Sequence, residues 1–61
     1  MRYVIYHENP NTHREVYIRV TEQGYPAETP VLEQAKRFAT PREAYEFAEL
    51  LDLDWWHVGE R

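Results

Sequence analysis

The sequence contains no cysteine and no serine, only two glycines, and few basic residues: seven against eleven acidic ones, for a net charge of -4. Without cysteine, neither disulfides nor thiolate metal ligands can supplement a small core, and thiol nucleophiles are excluded. Without serine, the hydroxyl side chains besides the tyrosines are Thr12, Thr21, Thr29 and Thr40. With glycine only at Gly24 and Gly59, there is no glycine-rich loop to cradle a phosphate. The longest apolar stretch near the amino end, "YVIY", is too short for a signal-peptide hydrophobic region or a membrane span. The expectation is a cytoplasmic protein with no membrane partner.

What is present suits a globule. The 61 residues, 43% hydrophobic and 15% aromatic, allow one domain over residues 1–61 with one small core. A chain of this size buries only about 60% of its unfolded surface, so each large apolar group matters. The charge is segregated along the chain. Residues 1–39 balance Arg2, Arg14, Arg19, Lys36 and Arg37 against Glu8, Glu15, Glu22, Glu28 and Glu33. Residues 40–60 set Glu43, Glu46, Glu49, Asp52, Asp54 and Glu60 against Arg42 alone. Such a segment repels nucleic acid and attracts basic surfaces.

"RYVIYHE" is a run of strand formers. "REVYIRVTE" alternates, with Val16, Ile18 and Val20 on one face and Glu15, Tyr17, Arg19 and Thr21 on the other. "ENPNTH" between them favours turn geometry, giving a β-hairpin. Two registers satisfy the apolar face equally: Ile5 opposite Val16 with Tyr3 opposite Ile18, or Tyr6 opposite Val16 with Val4 opposite Ile18. In either case the face turned from the core carries Tyr17, together with Val4 and Tyr6 or with Tyr3 and Ile5. "QGYPAETP" reads as a loop, and residues 34 to 38 as a short strand in preference to a helix.

A helix is predicted from residue 41 to about 52. Thr40 is its N-cap, Pro41 its first residue and Glu43 the partner that completes a capping box. Ala44, Phe47, Ala48 and Leu51 form its apolar face, opposite Glu43, Glu46 and Glu49. "WWHVGE" is a final strand, and because adjacent strand residues face opposite ways, Trp56 is placed inward and Trp55 outward. The fold class is therefore α+β. A two-layer antiparallel sheet of three to four strands, ordered β-β-(β)-α-β, has one helix on one face and nothing left to cover the other.

Chemical signatures are sparse. His7, His13 and His57 lack the one-turn helical spacing of zinc hydrolases, so neither a metal nor any cofactor is expected. Asp52 and Asp54 are a carboxylate pair, but a chain this short leaves little room for the pocket that would tune them, and the expectation is a non-enzyme. Tyr3, Tyr6 and Tyr17 on an open sheet near Arg2 and Arg19 would suit base stacking. The acidic balance opposes that, since phosphate neutralisation supplies most non-specific affinity. The acidic helix face is either a solvated surface, with Arg42 paired to Glu46, or a row of charge spaced about 4.5 Å along the helix axis and facing a partner's basic groove.

The segment "RFATPREAYEFAELLDLDWWHVGE" resembles a pattern of very small phage and prophage proteins: a short strand, a Thr-capped helix, then a strand starting at tryptophan. That resemblance implies a stoichiometric inhibitor of host machinery, anti-CRISPR proteins among them, which occupy nucleic-acid sites with acidic surfaces. The expectation is a protein-binding module for a host protein or complex with a basic surface, acting as a monomer or homodimer. Glu43, Glu46, Glu49, Asp52, Asp54, Trp55 and Tyr17 are the partner-binding candidates. The alternatives are a nucleic-acid-binding β-sheet and a self-associating housekeeping domain that hides its open face in a dimer.

Overall fold

A computed structural model describes residues 2–53 and 56–61. Strands β1 (Tyr3–Glu8) and β2 (Glu15–Val20) form the expected antiparallel hairpin. Their register is neither of the two expected: Tyr6 lies opposite Tyr17, His7 opposite Val16 and Glu8 opposite Glu15. Apolar matching could not discriminate, because β1 is apolar on both sides, and the turn decides instead. Asn9 N–H donates to Arg14 O at 2.8 Å and His13 N–H to Asn9 O at 2.8 Å. Asn9 Oδ1 accepts from Asn11 N–H at 2.8 Å, an Asx turn that fixes the entering chain. The resulting register puts Val4, Tyr6 and Tyr17 on one face, and Ile5, Val16 and Ile18 on the other.

The stretch expected to be a loop contains a strand, β3 (Pro26–Thr29), paired antiparallel to β2 with Val20 opposite Pro26 and Tyr17 opposite Thr29. A hairpin loop of three residues, closed by Thr21 and Tyr25, makes this possible. Gly24 N–H donates to Thr21 O at 2.9 Å and Thr21 N–H to Tyr25 O at 2.8 Å, while Gly24 takes φ 87°. This is the three-residue hairpin that needs glycine in the left-handed region. Pro26 is tolerated as the first residue of an edge strand. Strand β4 (His57–Glu60) pairs antiparallel with β1 on the opposite side, so the sheet order is β3-β2-β1-β4. The protein is a strand-rich α+β fold with a four-stranded antiparallel sheet and one helix.

Residues 34 to 38 do not form the expected strand. A 3₁₀ turn occupies Leu32–Gln34, and a single antiparallel bridge follows between Tyr3 and Phe38, whose backbones exchange bonds of 3.0 and 2.8 Å. Lys36 N–H donates to Ile18 O at 2.9 Å. These bonds lie where β1 and β2 separate, beyond the Tyr6–Tyr17 pair, so the segment is held between the two diverging strands. Ala35 packs with Val4 and Tyr17 on one face, whereas Phe38 packs with Ile5 and Ile18 on the other. The chain crosses the sheet through the open end of the hairpin. Its near side closes the face that was expected to lie open: Val4 is fully buried and Tyr17 is 8% exposed.

Helix α1 (Pro41–Leu50) begins as its sequence predicts. Thr40 Oγ1 accepts from Glu43 N–H at 3.2 Å, and the Glu43 carboxylate accepts in return from Ala39 N–H at 3.2 Å, one residue before the usual capping-box donor. The end is a Schellman motif. Asp52 N–H donates to Glu49 O, Leu53 N–H donates to Ala48 O at 2.9 Å, and Asp52 takes φ 56° where glycine is usual. Ala44 and Ala48 face a core built with Ile5, Ile18, Phe38 and Trp56, with Phe47, Leu53 and Val58 packed around it. Trp56 is inward as expected, 7% exposed, although it stands in a bend before β4 and not within a strand. The ring of His7 meets it edge-on at 4.1 Å.

Candidate functional site: the outward face of the helix

At about 100° per residue, burying Ala44 and Ala48, with Phe47 packed against the same core, turns Arg42, Glu46 and Glu49 outward. Leu50 and Glu43 flank that stripe on one side and Tyr45 on the other. Glu43, Glu46 and Glu49 are exposed on this element and Asp52 is exposed in the turn just after it; all four are candidates from the sequence. Asp54 and Trp55, the other two candidates next to it, lie outside the described residues. Arg42 pairs with Glu46 at 3.6 Å, but both side chains are so exposed that the pair contributes little. Glu43 is engaged by the helix N-terminus. Among the described residues no ion pair reaches Glu49 or Asp52.

Two apolar side chains on this face escaped the sequence reading. Leu50 is 83% exposed and Tyr45 58%. The surface dips between Glu46, Glu49 and Leu50. The signal was present in the helical wheel, since Leu50 stands between Glu43 and Glu46 in angle and outside the Ala44–Leu51 stripe. A carboxylate row around a solvated leucine and a tyrosine is the layout of a charged rim with apolar anchors.

Tyr17 does not belong to this site. Expected on an open sheet face, it lies beneath Ala35, and Leu32 packs against the same cluster. Its hydroxyl donates to Glu15 at 3.0 Å. Glu15 in turn receives a fork from Arg61, Nε at 3.0 Å and Nη2 at 2.6 Å, and the Arg61 guanidinium lies 4.4 Å from the centre of the Tyr6 ring. The bonds from Arg61 hold the Glu15 carboxyl below its ordinary range. Burial, reinforced by the Glu15 carboxylate that accepts its hydrogen bond, pushes the Tyr17 phenol up. The Glu15 fork also raises the Arg61 guanidinium further. This is a satisfied structural network. The platform of Tyr6, Tyr17 and Val4 that base stacking or dimerisation would have used is occupied by the chain's own residues.

Among the described residues no group of three histidines or carboxylates is disposed to hold a metal ion, and no helix is long and apolar enough to cross a membrane. Comparison with protein-family models, curated proteins and solved structures finds no match to this chain.

Proposed function

We propose that this protein is a non-enzymatic, cytoplasmic binding module that presents the outward face of α1 to a basic surface on a host nucleic-acid-handling complex. In this reading it is a phage-encoded inhibitor of the anti-CRISPR kind. The observation that carries the proposal is the set of exposed carboxylates Glu43, Glu46, Glu49 and Asp52 around Leu50 and Tyr45. Charge of one sign on a rigid helix steers a basic partner and fixes its orientation, while apolar side chains desolvated on contact supply most of the affinity. A row of carboxylates along a helix can occupy arginines and lysines that would otherwise hold phosphates. Asp54 and Trp55 extend the same segment in sequence and remain part of the proposed site.

The test is capture of binding proteins from host lysate, with and without nuclease, by the wild-type chain and by a Glu46→Lys/Glu49→Lys variant. A basic protein complex should be retained by the wild type after nuclease treatment. The double variant should lose it while keeping the native circular dichroism spectrum, since both positions are solvent-facing. Recovery of nucleic acid alone, or equal capture by the folded variant, would overturn the proposal.

A further inference from the structure

A second feature lies beside the last turn of α1. Between its C-terminal end and the edge strand β3 runs a groove of about 330 Å³, lined by Ile18, Pro26, Glu28, Leu51, Leu53 and Trp56 among others. That is the lower end of the size range of small-ligand pockets, enough for one long side chain and too small for a folded element. Its walls are apolar, with an indole among them. Among the described residues its one charged lining residue is Glu28, whose side chain is 63% exposed. His7 Nε2 lies 3.8 Å from Glu28 Oε1, within ion-pair distance but beyond a hydrogen bond, so the exposed carboxylate keeps room for a second cation. The negative end of the helix dipole points toward the same region, and the last turn of α1 carries no basic residue to compensate it. Asp52, exposed between the lining residues Leu51 and Leu53, adds a further negative charge.

The groove therefore asks for an occupant that is apolar along its stem and cationic at its tip. We propose that it receives a single arginine side chain from the basic partner inferred above, and the proposal rests on that reading. The methylene stem would lie against Leu51, Leu53 and Pro26, with the guanidinium on the Glu28 carboxylate. Arginine fits better than lysine because its planar head can fork onto a carboxylate and lie against an indole at the same time. The two features make one surface: the outward face of α1 draws a basic partner in, and the groove anchors one residue of it.

The test uses the full chain labelled with nitrogen-15 and two blocked peptides, acetyl-Gly-Arg-Gly-amide and its citrulline counterpart, which has nearly the same shape but no charge. The arginine peptide should shift the Trp56 indole N–H and the backbone amides of Glu28 and Leu53. Citrulline, and separately Glu28→Gln, should weaken that binding roughly five- to tenfold, as loss of a charge-assisted bond does. Equal shifts from both peptides, no effect of Glu28→Gln, or shifts confined to Glu46 and Glu49 would each overturn the proposal. Partner capture separates the two readings. If Glu28→Gln retains the partner while Glu46→Lys/Glu49→Lys loses it, the groove is overturned and the helix face stands. If the wild type captures no basic partner, the helix face falls, and the peptide titration alone decides whether the groove takes arginine.

Discussion

Asp52 bears two unfavourable conditions at once. Its backbone is left-handed, at φ 56°, and its carboxylate stands at the negative end of α1. A left-handed residue with a Cβ costs on the order of 1 kcal/mol relative to glycine, and a like charge at a helix end adds a few tenths more. Asp52→Gly should therefore raise unfolding stability by about 1 kcal/mol, which for a domain this small moves the melting temperature by roughly 4–8 °C. Asp52→Asn keeps a residue tolerant of the left-handed region and removes only the charge, so it should give a smaller rise. Thermal melts of the two variants would check both, and a lower melting temperature for Asp52→Gly would contradict the account. The start of the same helix was legible because Thr40, Pro41 and Glu43 each announce a capping role. Its end was not, because an aspartate in the left-handed region carries no distinctive sequence mark.

The element that changes the molecule is the segment from Leu32 to Phe38. Most of the fold was readable: the hairpin from strict alternation in "EVYIRV", the helix from its cap and stripe, and the inward Trp56, although it stands in the bend before β4 and not in the strand that parity assumes. The third strand was missed because Pro26 and Pro30 suggested a loop, although Gly24 marks a three-residue hairpin and proline is permitted at the first position of an edge strand. The crossing segment could not be read from periodicity, since its bonds to Tyr3 and Ile18 are made residue by residue across large sequence separations. One clue lay elsewhere: a strand apolar on both sides, as "YVIY" is, signals a sheet covered on both faces. Ala35 is the small residue that lets the segment pass over Val4 and Tyr17. Ala35→Leu should overpack that contact and cost about 1–3 kcal/mol, whereas Ala39→Leu, at an exposed position of the same connection, should be near neutral. Urea unfolding measures the difference, and equal midpoints would mean that the segment does not bear on the sheet.

At the scale of the whole molecule, the Arg61 fork onto Glu15 joins the chain after β4 to β2 across the intervening β1. Arg37 adds a bond to Arg61 O at 3.2 Å, drawing the crossing segment to the same point. The network makes stability depend on pH at both ends of the scale. Glu15 has a folded pKa below its ordinary value of 4.5, held there first by the bonds from Arg61. Just under that value the unfolded chain binds the proton that the folded chain refuses, so the contribution of Glu15 is present above about 4.5 and is lost as pH falls through the lowered folded pKa. Tyr17 works in the opposite direction. Burial, with help from Glu15, raises its pKa above 10.0, so its contribution is present below that value and is lost as pH rises through the raised one. Urea midpoints measured across pH should thus show a plateau between the two limbs. Glu15→Gln should flatten the acid limb and reduce the alkaline one, because burial of Tyr17 remains after the carboxylate is gone. Tyr17→Phe should remove the alkaline limb and leave most of the acid one, since Arg61 still holds Glu15. An acid limb as steep in Glu15→Gln as in the wild type would mean that other carboxylates, the exposed row on α1 included, govern acid unfolding, and that the fork does not tie the sheet together.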